Sequence, residues 1–298
     1  MGNLYTGAMG MISFQNKLEV VGNNIANART NGFKRDVETF KVFEESFYKI
    51  LSNDRTETLG KYQNQVHMDE IHTNMEQGGI TLTDRSYDFA IQDSNENYAN
   101  FFTVQKNGET FLTRDGAFQV DKDNYLTMND GSYVMNEQGN KIQMPDNAKP
   151  SLSRTGTLSD ENTGLFIADL NIESVSKENK HLLEKEGNNK FKVISTDEFI
   201  KNYGPLENLL AKYDTNASLK RLFPNRETVE DIVNSGNINI LEKQNNYNLF
   251  SGALEQSNVD MSKEMTDMII AQRGFQASAK ALQAMDKINE KDANQIGI

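Results

Sequence analysis

The residues of this chain that could hold a metal are its three histidines and two closely spaced aspartates. His67 and His72 are five positions apart, whereas two helical histidines that share a zinc ion are four apart. Both lie in a polar stretch, so we expect them to face solvent. Asp121 and Asp123 resemble the beginning of a calcium loop, but its glycine and closing glutamate do not follow. We therefore predict a turn at these aspartates and no metal or cofactor site.

Signatures of covalent or phosphate chemistry are also missing. The chain has no cysteine, and it contains no nucleophile elbow, P-loop or dinucleotide-binding fingerprint. Its 43 acidic residues will always include neighbouring carboxylates, so a glycoside-hydrolase pair stays open on composition, although no aromatic-lined signature accompanies one. We predict that the chain is not an enzyme and takes no small-molecule substrate.

The net charge of -12 argues against nucleic-acid binding, because proteins that bind nucleic acids usually carry a basic surface. The N-terminus lacks a basic segment followed by an unbroken apolar run, and no run of 18 apolar residues occurs. We expect neither a secretory signal peptide nor membrane insertion. If the protein leaves the cytoplasm, another export route must carry it.

The elements that would position functional residues begin with a helix of heptad periodicity. One apolar seam of this helix, predicted over residues 3–27, contains Leu4, Met11, Leu18 and Ile25. Three glycines interrupt the seam, so the isolated helix would be marginally stable.

The C-terminal segment has the same period. Its apolar seam contains Met261, Met268, Phe275 and Leu282. Caps for the start of this helix are available at Ser257, Asn258 and Asp260. Either segment alone would be read as an ordinary amphipathic core helix, but two matched heptad helices can pair with each other. Small residues such as Gly22 and Ala277 would permit close approach, and we predict a pair that becomes well ordered mainly against neighbouring copies.

An asparagine-rich segment follows the first helix. We expect the helix to end near Asn27 and the chain to turn at Asn31-Gly32. The apolar spacing in residues 33–51 predicts a helix or packed loop. The polar residues 52–78 predict an extended connector or flexible loop.

The middle of the chain is punctuated by turns. They recur at Asn107-Gly108, Asp115-Gly116, Asp123-Asn124, Asp130-Gly131 and Gly139-Asn140. This rhythm predicts short antiparallel strands in a sandwich-like or barrel-like body. Further strands are expected at 165–172, 190–194 and 238–241, and helical spacing over 196–237 predicts an insertion broken by Pro205 and Pro224.

We therefore predict an α+β fold, in which paired, coiled-coil-like N- and C-terminal heptad helices accompany a central antiparallel β domain with an inserted helical segment. The expected domains are a terminal helical assembly domain (1–32 and 255–298), a connector (33–78), a β-rich outer domain (79–195 and 238–254) and a helical insertion (196–237).

Several segments resemble one family. Residues 23–34 and 257–282 are similar to the N- and C-terminal signatures of bacterial flagellar rod, hook and hook-associated axial proteins. Residues 87–91, 101–104 and 111–118 resemble the β domain of the larger rod and hook proteins. The residues that carry the resemblance are Asn24, Asn27, Thr30, Gly32, Phe33, Arg114, Asp115, Gly116, Gln272 and Arg273.

The resemblance implies a structural subunit of the basal-body rod or hook, most like the proximal or distal rod proteins. Such a subunit passes through the flagellar type III export apparatus without a cleaved signal. It assembles with copies of itself and with other rod and hook subunits into a hollow helical tube that transmits torque. The seam residues of both helices would form the assembly interface, in which Arg273 would either pair with an acid of a neighbouring subunit or be solvated.

Two other interpretations stay open on the residues. The first is a secreted coiled-coil adhesin-like or hook-associated interaction protein with the same ends. The second is an enzyme domain grafted onto axial ends through residues 151–250.

Overall fold

A computed structural model of the chain describes residues 2–52, 55–187, 189–215, 219, 220, 223, 225–235, 240–244 and 246–296. Within helices and strands, the side chains of residues 2–6, 40–70 and 292–296 lie outside this description. The fold is α+β, as predicted, with a helix at each end and a central antiparallel β region.

Five α-helices lie in the described residues: α1 (Gly2–Ala26), α2 (Thr196–Tyr203), α3 (Leu209–Thr215), α4 (Arg226–Ser235) and α5 (Met261–Ile296). The strands of the first half are β1 (Asp36–Ser52), β2 (Arg55–Thr73), β3 (Ile80–Leu82), β4 (Phe89–Asp93), β5 (Tyr98–Lys106), β6 (Glu109–Thr113), β7 (Gln119–Val120), β8 (Leu126–Thr127) and β9 (Tyr133–Val134). Those of the second half are β10 (Pro150–Leu152), β11 (Thr157–Asp160), β12 (Phe166–Asp169), β13 (Ile172–Ser176), β14 (Leu183–Glu186), β15 (Lys190–Val193), β16 (Leu241–Glu242), β17 (Tyr247–Ser251) and β18 (Ala253–Glu255).

The chain divides into two compact units. The first contains Met1–Ala28, Arg35–Asn74 and Val259–Ile298, and the second contains Arg29–Lys34 and Met75–Asn258. The first unit therefore holds both terminal helices and the β1–β2 hairpin. The second holds the rest of the sheets and the helical insertion.

The two terminal helices of the first unit pack against each other. A methyl group added at Gly7 would lie 3.3 Å from Cδ1 of Leu282, and one at Gly10 would lie 3.1 Å from Oγ of Ser278. A methyl group at Gly274 would overlap the ring of Phe14. Since the contact positions fall along α5 as they rise along α1, the helices run antiparallel.

Some of the small residues in this pair act differently from the prediction. A methyl group at Gly22 would have no described atom within 4 Å, so the prediction that Gly22 permits close approach is wrong. Gly7 and Gly10, which the heptad pattern marks only as weak points of the helix, are the glycines that meet α5. The reason is geometric: which face a glycine occupies at the crossing depends on the partner helix and not on α1 alone.

The ends of the helices follow the predicted local signals. Helix α1 ends at Ala26, one residue before the predicted Asn27. Oδ1 of Asp260 accepts hydrogen bonds from the backbone N–H of Ser262 at 2.9 Å and of Lys263 at 3.2 Å, so Asp260 caps the start of α5. Among the described helices, none combines the length and apolarity that a membrane span requires.

Strands β1 and β2 form a long antiparallel pair, which corrects the prediction of a helix or packed loop over residues 33–51. Of the segment predicted as an extended connector or flexible loop, residues 55–73 form the extended strand β2. Strands β1 and β2 pair from Asp36 with Thr73 to Ser52 with Arg55, with irregularities between Thr39 and Phe40 and between Tyr48 and Lys49. The apolar spacing of residues 33–51 suits a helix as well as a strand. Strand β2 is polar and shows no apolar periodicity, but its backbone hydrogen bonds to β1. This pairing makes the first segment a strand instead of a helix.

The main sheet of the second unit has the strand order β14-β15-β6-β5-β9-β8-β7, and β13 also pairs with β5 and β16. Smaller sheets are formed by β10-β11-β12, by β17 with β4 and by β18 with β3. Phe89, Phe102 and Phe118 lie in the core, with ring centroids 5.2 to 6.0 Å apart in successive pairs. The predicted turns at Asn107-Gly108, Asn124, Gly131 and Gly139 have positive φ angles, which asparagine and glycine tolerate. The segment predicted as one strand at 165–172 is divided between β12 and β13.

The helical insertion has its own apolar core. Helices α2, α3 and α4 bury Phe199, Leu209, Val229 and Ile232 against the same cluster as Phe191 of β15. A break occurs at Pro205, as predicted, whereas Pro224 and residues 236–239, including Ile238 of the predicted strand, lie outside the described residues. Of that strand, Leu241 belongs to β16.

His181 packs into the insertion core. Its ring lies 4.6 Å from the ring centroid of Phe223 in an edge-on arrangement. Nδ1 is 3.1 Å from the carbonyl oxygen of Glu178, while Nε2 is buried and no described atom hydrogen-bonds it. Burial lowers the pKa of His181 from 6.5 to about 4, so the folded insertion holds a neutral ring.

The insertion should lose stability in mild acid. The unfolded chain binds a proton at His181 below pH 6.5 and the folded chain only below about 4, so this contribution is complete above pH 6.5 and is lost as the pH falls to 4. The loss should reach about 3 kcal/mol. Hydrogen exchange in α2–α4 at pH 4.5 and 6.5, corrected for intrinsic rates, should show it in the natural chain and not in His181→Phe. Equal acid sensitivity of both chains would contradict this assignment.

The glycines of the terminal helix pair give a second test. Gly274→Ala should overlap Phe14 and lower the free energy of unfolding of the first unit by about 1–3 kcal/mol. Gly22→Ala is the matched control, and it should stabilise α1 by about 1 kcal/mol because the added methyl group has no described atom within 4 Å. Hydrogen exchange of α1 and α5 measures both effects. Similar behaviour of the two variants would mean that the helices do not cross at Gly274.

Candidate assembly interface and its anchors

The predicted seam residues are half-buried in the folded chain. This holds for Met11, Leu18, Ile25, Met261, Met268, Phe275 and Leu282, whereas the side chain of Leu4 lies outside the described residues. Among the described side chains of the two helices, the buried ones are Ser13, Val20, Val21 and Asn24 in α1 and Glu264 and Ala271 in α5. The seam side chains therefore keep part of their surface available to other molecules.

A second apolar surface lies on α5. Met265, Ile269 and Ile270 are 53%, 51% and 53% exposed, and they follow one another at intervals of about one helical turn or less. We call these three residues the exposed strip. Ile12 of α1 and Ile288 of α5 are exposed to a similar degree. A single exposed isoleucine is ordinary, but neighbouring exposed apolar side chains on one helix are typical of a surface that another molecule covers.

Asn24 links three elements of the first unit. Its Nδ2 donates to the carbonyl oxygen of Asp36 at 2.8 Å, and its Oδ1 accepts from the backbone N–H of Asp36 at 2.9 Å. Nδ2 also lies 3.2 Å from Oε2 of Glu264, and the other oxygen of Glu264 binds Nε of Arg35. Asn24 thus joins the beginning of β1 to α5 with hydrogen bonds that resemble those between two strands.

Further polar contacts surround this anchor. Asp36 accepts from Oγ1 of Thr73 at 2.9 Å, which ties the two ends of the hairpin together. Lys17 and Glu38 form an ion pair at 2.8 Å between α1 and β1. Asn27 has the local role that the sequence predicts, because its Nδ2 bonds to Asn23 at the end of α1.

The remaining N-terminal signature residues belong to the second unit. Gly32 has a φ of 64°, and a side chain there would overlap the backbone of Arg114. Its N–H donates to the carbonyl oxygen of Glu255 at 2.7 Å. Phe33 is buried, with Nζ of Lys185 3.8 Å from its ring centroid, and the N–H of Phe33 donates to the carbonyl oxygen of Thr30. Both the backbone angle and the close approach require glycine at position 32.

Four charged residues form a network in the second unit, which we call the ion network: Lys34, Asp93, Arg114 and Glu255. Nζ of Lys34 lies 2.7 Å from Oε1 of Glu255, and Nη1 of Arg114 lies 3.0 Å from Oε2. Nη2 of Arg114 binds the carboxylate of Asp93. The side chains of Lys34, Arg114 and Glu255 are 0% exposed, so two cations and two anions neutralise one another away from water.

Burial and neighbouring charge shift two pKa values in the ion network. Burial, and then the charge of Arg114, lower the pKa of Lys34 to about 8, although Glu255 partly offsets both. Burial alone would lower the pKa of Arg114, but the carboxylates of Glu255 and Asp93 outweigh it and raise the pKa, so Arg114 stays charged. Removing one partner would leave a buried charge without its counterion, which typically costs about 3–5 kcal/mol.

Asp115 and Gly116 complete the signature block that contains Arg114. Oδ1 of Asp115 accepts from the N–H of Ala117 at 3.1 Å, and burial raises the pKa of Asp115. A side chain at Gly116 would overlap the carbonyl oxygen of Phe89, so the turn admits only glycine. The block therefore places a buried cation directly before a tight turn.

Sequence reasoning missed several of these residues. Gln272 and Arg273 of the C-terminal signature are exposed on α5, whereas Lys34, Arg35, Asp93, Glu255 and Glu264 form the anchors without having been singled out. The Lys34–Glu255 pair spans 221 positions and the Arg114–Glu255 pair 141 positions. The only available signal was the pair of basic residues that follows Gly32-Phe33. In the part of the chain that the structure describes, no cluster of histidine and acidic residues could hold a metal ion.

Comparison with known families gives three matches along the chain. Residues 4–34 match the family described as flagella basal body rod protein. Residues 99–160 match the flagellar hook protein FlgE/F/G D1 domain, and residues 251–296 match the flagellar basal body rod FlgEFG protein C-terminal family. The first and last of these matches contain the terminal helices.

Individual relatives match over nearly the whole chain. The flagellar basal-body rod protein FlgG of Bacillus subtilis is 28% identical over 98% of this chain and 98% of its own length. The flagellar hook-basal body complex protein FlhO of the same organism is 28% identical over 99% and 98% of the two chains. The flagellar hook protein FlgE of Treponema pallidum is 31% identical, but over only 48% of this chain and 29% of its own length.

The anchor at Asn24 can be tested by mutation. Asn24→Ala should remove its hydrogen bonds to Asp36 and Glu264 and lower the free energy of unfolding of the first unit by about 1–3 kcal/mol. Asn23→Ala, an exposed change in the same turn, should cost less. Hydrogen exchange at the beginning of β1 and α5 is the measurement. Equal losses in the two variants would show that Asn24 acts only as a local helix-end residue.

Proposed function

This chain belongs to the family of flagellar basal-body rod and hook proteins and is a structural axial subunit of the flagellar basal body, and we propose that it polymerises through its terminal helices into a hollow helical tube that transmits torque. The observation that carries the proposal is the exposed strip of α5, because water disfavours three large apolar side chains left uncovered on one helix. In the assembled tube, neighbouring copies cover this strip.

The contact in the tube joins different surfaces of successive copies. A heterologous contact that does not close on itself generates a helical filament. The exposed strip supplies one side of this contact, and the half-buried seam residues, including Met268 and Phe275, supply further apolar surface. On this proposal, the antiparallel pair of terminal helices is completed by the helices of its neighbours.

The subunit is a rod protein rather than a hook protein. Supporting this, the rod protein FlgG of Bacillus subtilis matches along both full lengths, whereas the hook protein of Treponema pallidum is matched along 29% of its length. Its partners are copies of itself, other rod and hook subunits and the flagellar export apparatus, through which it leaves the cell without a cleaved signal. It performs no catalysis, inserts into no membrane and binds no nucleic acid.

Electron microscopy of basal bodies tests the proposal. A strain without this gene should make rods that stop short and carry no hook, and the natural gene should restore them. Ile270→Asp should fail to restore the rod, because a charge in the exposed strip could not be buried against the next copy. Gln276→Asp, which adds the same charge to an exposed polar position of α5, should restore it.

Other outcomes of this experiment contradict parts of the proposal. A complete rod that lacks only the hook would identify a hook subunit instead. Normal filaments in the deletion strain would show that the chain is not needed for the axis. Restoration by Ile270→Asp would remove the exposed strip from the assembly contact.

A further inference from the structure

The chain passes between its two units at four places. These crossings, which we call the passages, lie between residues 28 and 29, 34 and 35, 74 and 75, and 258 and 259. Force that passes from one unit to the other along the backbone crosses these covalent segments.

Within the second unit, the segments next to the passages are bonded to one another. The N–H of Asn258 donates to the carbonyl oxygen of Phe33 at 3.2 Å, and Nδ2 of Asn258 donates to the carbonyl oxygen of Glu76 at 2.9 Å. Nζ of Lys34 donates to the same Glu76 oxygen at 2.7 Å and to Glu255 at 2.7 Å. The single ammonium group of Lys34 thus contacts the segment at 76 and the segment at 255.

The ion network connects these segments to the core of the β unit. Glu255 receives Lys34 on one oxygen and Arg114 on the other, and its Oε1 also accepts the N–H of Gly78 at 2.8 Å. Arg114 continues to Asp93 at the end of β4. Oδ1 of Asp93 accepts from Nδ2 of Asn100 in β5 at 2.7 Å, so the connection reaches the central strands of the sheet.

A network of this kind is poorly explained by stability alone. Replacing buried ion pairs by well-packed apolar residues is often neutral or stabilising, because desolvation offsets most of the attraction. Charged hydrogen bonds have a defined geometry that apolar contacts lack, because the two oxygens of one carboxylate fix the positions of two different donors. Such geometry resists sideways displacement of the segments more than an apolar contact of the same area would.

We propose that the ion network fixes the chain segments beside the passages to the β unit, so that Lys34, Arg114 and Glu255 resist the force of rotation; we call this role of the network the joint. The proposal rests on the proposed function of the chain as a torque-transmitting subunit. It assigns to these residues a role in working flagella that is separate from assembly of the rod.

Glu255→Gln tests the joint, and the protein contains a matched control. Lys190 and Asp130 form another shielded ion pair in the same unit, at 2.8 Å with side chains 7% and 11% exposed, and Asp130 also bonds Lys106 and Ser132. Burial alone would raise the pKa of Asp130, but hydrogen bonds from Lys190 and Ser132 lower it below its usual value, so its carboxylate is charged. Asp130→Asn removes this charge from a buried pair that shares no residue with the ion network.

Each variant is expressed in the deletion strain. Basal bodies are counted by electron microscopy, and swimming and flagellar loss are compared in thin and in viscous medium. Each change removes the counterion of a buried cation, so both should lower the stability of the second unit, and variants that still build complete rods should swim in thin medium. Under viscous load, Glu255→Gln should shed flagella or break rods several-fold more often than Asp130→Asn, which should match the natural protein.

The proposal is contradicted if the two variants lose flagella or break rods equally often under viscous load. If Glu255→Gln does not reach the rod, Lys34→Gln replaces it, because this change leaves the pairs of Arg114 with Glu255 and Asp93 in place. The same comparison with Asp130→Asn then decides. Failure of the proposed function is recognised separately, since it would appear as normal rods in the deletion strain or in Ile270→Asp.

Discussion

The carboxylate of Glu255 is the interaction on which the second unit depends. It lies at the end of β18 and receives Lys34 from the segment that follows α1 and Arg114 from the turn after β6. Because all three side chains are fully shielded from water, each charge requires the others. Gly32, whose backbone contacts Arg114, and Gly116, whose backbone contacts Phe89, allow the chain to approach closely enough for the network to form.

The first unit also contains a buried glutamate that binds a basic residue, but the residues are different. Arg35, the neighbour of Lys34 in the sequence, binds Glu264 of α5, and Asn24 joins Glu264 to the first residue of the hairpin. Two adjacent basic residues thus serve two units, each through a buried glutamate. Under the proposed function, in which the chain transmits force, such defined attachment points would hold the segments where apolar packing alone would let them slide.

The surface of the terminal helices has a different chemistry from these anchors. Inside the first unit, the helix pair is held at Gly7, Gly10 and Gly274 and at the Asn24–Glu264 hydrogen bond. Outside, it presents the exposed strip and the partly buried seam. This separation allows the chain to fold and still keep apolar surface on its terminal helices. The charged anchors position the helices, and the apolar faces remain for assembly.

The sequence by itself determined the features that depend on neighbours within a few residues: the heptad helices at both ends, the Asp260 cap, the turns with positive φ and the break at Pro205. The helical insertion followed from its local spacing for the same reason. Tertiary structure decided what depends on distant partners. It paired β1 with β2, placed Gly7 and Gly10 rather than Gly22 at the helix crossing, and joined Arg114 and Lys34 to a glutamate 141 and 221 positions away. Local spacing indicates which face of an element is apolar, but only the folded chain determines which distant strand or charge meets it.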